Sequence, residues 1–174
     1  QGDGLSAESP YILASKKHVE ELKDAMRDTD TYVCPAYLEF VSDIYLNEDG
    51  ASEKTSWLPI GTGKNPYHVG TPGQEDFVIA QVKGNGHTIH NLYINVTEDN
   101  YTDYLCIRNS QRKQSMHLGF FGNISSTVVS DLGFNNAEII VDEKVYEIFA
   151  ADELLQDISV GVVAGVAFNS DIVG

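Results

Sequence analysis

A chain of 174 residues, 42% hydrophobic and 21% charged, has the size and composition of one folded domain with a substantial core, which excludes disorder throughout. Its 11 basic residues against 26 acidic ones give a formal charge of −15, which repels phosphate backbones and anionic headgroups, so no nucleic acid or membrane surface is expected as a partner. No apolar run approaches the ~18 residues that span a bilayer, and no membrane insertion is expected.

Residues 1–14 read as a loop leading into a short strand, Tyr11 to Ala14. Ser15 stands where a helix N-cap belongs. Val19, Leu22 and Met26 then recur at i, i+3 and i+7, which predicts a helix over about Lys16 to Arg27 with one apolar stripe. The two cysteines, Cys34 and Cys106, permit one disulfide and demand none. Cysteine is commonly buried, and two unpaired thiols are the simpler reading. Leu38, Phe40, Ile44 and Leu46 share one parity, the period of a half-buried strand. "NEDGASEKTS" is a polar turn region. "WLPIGTGKNPYHVGTPGQEDF" carries Pro59, Pro66, Pro72 and four glycines and reads as loop. "FVIAQVKGNG" returns to strand composition.

The next stretch has an echo. "TIHNLYIN" (88–95) aligns with "VVSDLGFN" (128–135) at an offset of 40 residues: Ile89 meets Val129, Leu92 meets Leu132, and Ile94 meets Phe134. A further echo links "GFFG" (119–122) with "GVVAG" (161–165). Repeats at this period point to a solenoid whose units bury apolar faces against their neighbours. Ile89 differs in parity from Leu92 and Ile94, so all three point inward only if the chain bends at His90-Asn91, and again at Ser130-Asp131. Asn and Asp tolerate the left-handed backbone of such corners. The expected fold is mainly β, a right-handed parallel β-helix (a short solenoid), with Ile89, Leu92, Ile94, Val129, Leu132 and Phe134 inward and Ile89 stacked over Val129. The helix should cap its open end. His87 and His90 flank an inward Ile89 with opposite parity, and the second copy has Thr127 and Ser130. The spacing does not make the histidines a metal pair.

The order of these features resembles the GLUG-motif repeat proteins of bacterial surfaces. The corresponding stretches are Gly2-Asp3-Gly4 with Ser9-Pro10-Tyr11-Ile12, Ser42-Asp43-Ile44-Tyr45-Leu46, and Trp57-Leu58-Pro59-Ile60-Gly61. They continue with Val82-Lys83-Gly84-Asn85-Gly86-His87-Thr88-Ile89-His90-Asn91-Leu92-Tyr93-Ile94, then Gly119-Phe120-Phe121-Gly122 and Gly161-Val162-Val163-Ala164-Gly165. Lys83, Val162 and long insertions near 97–116 and 142–157 depart from the pattern. The resemblance implies a parallel β-helix of secreted or surface-anchored proteins. Some of these are adhesin-like, and some carry the repeats beside an immunoglobulin A-specific zinc peptidase. On it, residues 1–174 are expected to form a single GLUG-type domain, the N-terminal fragment of a longer repeat protein whose last strand is an exposed edge.

Catalytic motifs fail on inspection. "HVEEL" at 18–22 lacks the second histidine of a zinc peptidase helix, and "GTGK" at 61–64 lacks the flanking residues of a phosphate loop. "NEDG" at 47–50 lacks the alternating acids of a calcium loop. No catalytic, cofactor-binding or metal residue is assigned, and no cofactor is expected. Tyr93, Tyr101 and Tyr104, around the first insertion, are the candidate ligand contacts, since tyrosine adds contact area at low entropic cost. The expected function is a non-catalytic structural or adhesion module, secreted or at the cell surface, whose partner is a host or bacterial surface protein or a glycan. The alternatives are an accessory domain of an immunoglobulin A-type metallopeptidase and a carbohydrate-active β-helix enzyme.

Overall fold

The computed structural model describes residues 2–27, 37–61, 79–107 and 113–174. Cys34 and most of "GTGK" lie outside them. Strand β1 (Tyr11–Leu13) leads into helix α1 (Lys16–Arg27), on the bounds that the apolar spacing predicts. Ser15 caps the helix, its Oγ accepting from His18 N at 3.4 Å. Val19, Leu22 and Met26 are all buried in the same apolar cluster as Leu13, Leu38 and Phe40.

The single strand expected around Leu38 to Leu46 forms as two, β2 (Tyr37–Phe40) and β3 (Ile44–Tyr45), broken where Val41 turns outward. All four apolar residues of the shared parity are buried. Beyond them run β4 (Gln81–Lys83), β5 (Thr88–His90), β6 (Tyr93–Val96), β7 (Leu105–Ile107), β8 (Gln114–Leu118) and β9 (Phe121–Ser125). Then come β10 (Val128–Ser130), β11 (Gly133–Asn135), β12 (Glu138–Val141), helix α2 (Glu143–Ala151), β13 (Leu155–Val160), β14 (Ala164–Phe168) and β15 (Asp171–Val173).

The expected right-handed parallel β-helix does not form. The described residues are mainly β, 41% strand and 17% helix, but among them the strands fall into several small, mostly parallel sheets with no solenoid. Among the described residues the sheet orders are β1-β2-β4-β10-β15, β11-β5-β3, β12-β6, β13-β8-β7 and β14-β9. Both insertions contribute to the fragmentation. The first adds a 3-10 turn (Tyr101–Tyr104) and β7, which runs antiparallel to β8. The second folds as α2, capped by the Asp142 side chain, and enters β13 through an irregularity between Leu155 and Ile158.

The register expected from the 40-residue echo is also wrong. Ile89 pairs with Phe134 rather than Val129, an offset of 134 − 89 = 45. Val129 instead lies between Val82 and Ile172, and Ile94 pairs with Ile139. The left-handed corners explain the error. Asn91 and Asp131 do adopt positive φ, 57° and 50°. Yet Asn91 meets Asn136, while Asp131 O accepts from Gly86 N at 2.8 Å. Side-chain similarity had matched two different corners. At the second corner the backbones touch: a Cβ on Gly84 would sit 2.1 Å from Asp131 O, so only glycine fits there. Ile89, Leu92, Ile94 and Val129 are buried, while Leu132 and Phe134 are half-buried against the core. Trp57 stacks on Phe120 at 5.4 Å, and its Nε1 donates to Phe120 O at 3.1 Å.

Candidate functional site

The β11-β5-β3 sheet has an apolar inner side and a polar outer one. Ile44, Ile89 and Phe134 lie in register on the inside. Alternation places Tyr45, His90 and Asn135 in register on the outside, with Asp43, Thr88 and Gly133 beside them. The Tyr45 and His90 rings are stacked, 4.3 Å apart and 5° from parallel. Asn135 Nδ2 lies 3.2 Å from His90 Nδ1 on the far side.

The two histidines converge after all, on a carboxylate from the neighbouring strand. Asp43 Oδ1 accepts from Thr88 N at 3.0 Å and lies 3.2 Å from His87 Nδ1; Asp43 Oδ2 lies 3.8 Å from His90 Nε2. The Thr88 N–H bond, then the His87 hydrogen bond and the charge of both imidazoles, hold the Asp43 carboxyl below the usual carboxylate range. Asp43 is therefore ionised near neutrality. Among the described residues no group of three or more His, Cys, Asp and Glu side chains is arranged to hold a metal ion.

A second constellation lies inside. Cys106 Sγ donates to Ser115 O at 3.1 Å and lies 3.5 Å from His117 Nδ1. His117 Nε2 lies 4.0 Å from Asp157 Oδ2, whose other oxygen accepts from Ser115 Oγ at 2.5 Å. Thiol, imidazole and carboxylate follow one another in the order of a nucleophile, its base and the group that orients the base. Cys106 and His117 are each about 1% exposed, however, so substrate cannot touch the sulfur in this conformation. The thiol's bond to a backbone carbonyl makes it a core donor.

A third network closes corners. Asn91 Nδ2 donates to Asn47 O at 2.9 Å and to Asp49 Oδ1 at 2.8 Å, and Asn91 Oδ1 accepts from Asn136 Nδ2 at 2.7 Å. Asn47 and Asp49 of "NEDG" are thus tied to the next corner.

The three tyrosines singled out from the sequence are spread over different tasks. Tyr104 is buried, with its hydroxyl 2.7 Å from Ser56 Oγ. Tyr101 is half-buried against the core. Tyr93 is half-buried with Lys54 Nζ 5.0 Å from its ring centre. Sequence reasoning passed over Asp43 and Tyr45, although the signal was present: they are the residues of opposite parity to Ile44. With this geometry in hand, comparison adds no relative, since no family model, curated protein or solved structure matches the chain.

Proposed function

We propose that the chain is a non-catalytic structural and adhesion module of a secreted or surface-attached protein, of the kind that the GLUG-motif resemblance implies. The observation that carries this reading is a contrast in access. The Cys106 thiol and the His117 imidazole are sealed in the core, whereas the outer face of β3 and β5 is open at Tyr45 and Asp43 and braced by the His90 stack. A face held by parallel strands, an aromatic stack and a hydrogen-bonded carboxylate is preorganised for contact, which lowers the ordering cost of binding. The test presents the chain to protein and glycan arrays, and assays the same ligands for released peptides and reducing ends. Binding without product is expected; turnover of any retained ligand would overturn the reading.

A further inference from the structure

All five sheets end on one stretch of chain. Among the described residues β11, β12, β13, β14 and β15 each stand at the end of their sheet, so residues 133–173 carry a run of free strand edges. β15 closes the largest sheet. Asp171 N donates to Thr127 O and Val173 O accepts from Asp131 N, which turns these groups toward β10. By alternation, the N–H and C=O of Ile172 point away from β10, to the open side. The Ile172 side chain continues the column of Val82 and Val129, yet it is exposed, and so is Phe168 just before β15. Natural edges are commonly guarded by lysine or proline; residues 155–174 contain neither, nor any arginine.

Charge divides along the chain in the same sense. Residues 128–174 hold nine acidic side chains and one basic one, Lys144, whose Nζ is already taken by Glu98 Oε1 at 2.7 Å. Residues 2–27, at the end covered by α1, hold five acids and four bases. A second copy that met the open end with its own would set acid against acid. One that presented its covered end would bring a nearly balanced charge. Neither complements the open end, whereas a basic segment does.

We propose that the open edge of β15 is a docking site for an extended, basic segment of a partner protein, which adds as a further strand with an apolar side chain beside Ile172 and a lysine or arginine beside Asp171. Main-chain bonds to Ile172 supply affinity, and the alternating side chains supply specificity. The field of the acidic end draws the segment in. The proposal rests on the reading of the chain as a binding module. It adds to the outer face of β3 and β5 a second surface, with a partner of stated chemistry.

The experiment titrates the chain at physiological salt with a capped Lys-Val-Lys-Val-Lys-Val peptide, read by NMR at Phe168, Ile172 and Val173. Shifts should concentrate there. A Lys-Val-Lys-Pro-Lys-Val peptide of the same charge should bind roughly tenfold more weakly, because proline lacks the N–H that a strand ladder needs. Asp171→Lys should weaken binding of the first peptide about fivefold, whereas Glu21→Lys, the same change of charge on α1, should leave it nearly unchanged. Both positions are exposed, and circular dichroism checks that each variant folds. Equal binding of the two peptides, or equal effects of the two substitutions, overturns the proposal, since the attraction is then to net charge alone. So does the absence of binding. A dimer of the chain alone in sedimentation, dissociated by Asp171→Lys, overturns it in favour of a second copy. Each of these failures leaves the binding-module reading standing, because that reading falls only on turnover.

Discussion

Val82, Val129 and Ile172 occupy one column across three paired strands, yet their exposures are 0%, 2% and 52%. The side chains are alike and the parity is the same. The difference is the neighbour: among the described residues β4 and β10 each have a strand on both sides, whereas β15 has one. The two ends of this sheet diverge in the same way. At the first, α1 buries its stripe in the core, and Leu13, Leu38 and Phe40 are sealed. At the other, Ile172 and Val173 stand in solvent, as does Phe168 of β14 in the adjoining β14-β9 sheet. Apolar alternation thus marks which side chains can be buried, and burial follows only where another element covers them.

Substitutions at the same residue type test that contrast most directly. Phe40→Ala, at the covered end, should cost about 3–5 kcal/mol on urea denaturation, through lost transfer energy and the cavity left behind. A loss near 1 kcal/mol would mean that α1 packs loosely. Asn91→Ala sits between the ends and should cost about 2 kcal/mol, from buried hydrogen bonds lost and a left-handed backbone made unfavourable. Asn91→Gly, which tolerates that backbone, should recover part of the loss. Phe168→Ala should cost below about 0.5 kcal/mol and reduce binding of a hydrophobic dye. A large cost there would show that the exposed end is held by contacts of its own. The smallest effect concerns acid. Asp43 has a lower pKa folded than unfolded, so the folded state binds fewer protons, and the contribution present above the unfolded pKa is lost as pH falls through the folded one. Asp43→Asn should therefore lower the neutral plateau slightly and flatten the acid limb, leaving stability at low pH nearly unchanged.

What the sequence disclosed follows physical range. α1 was legible because a 3.6-residue period and a serine cap are local signals. Burial of Leu38, Phe40, Ile44 and Leu46 was legible from parity, and the left-handed Asn91 and Asp131 from residue chemistry. Register was not legible. Strands of three residues carry too little pattern to fix which corner faces which, and likeness between Leu92 and Leu132 outweighed the backbone approach of Gly84 to Asp131. The β-helix expectation failed with it, since the insertions bring an antiparallel strand, a helix and a bulge that no repeat alignment contains. The Cys106–His117–Asp157 chain depends on those elements, and no spacing rule foretold it. The approach of both histidines to Asp43 was equally hidden, because the carboxylate comes from 44 residues before His87.

The lone tryptophan gives this architecture an optical handle. Trp57 is held flat against Phe120, its indole N–H is bonded to a carbonyl, and a lysine of α1 lies over its ring. Its emission should be blue-shifted in the native state, and it samples the helix and the sheets at once. A red shift that precedes loss of β signal on heating would report α1 lifting away by itself. Coincident changes would mean that the helix and the strands beneath it melt as one cooperative unit.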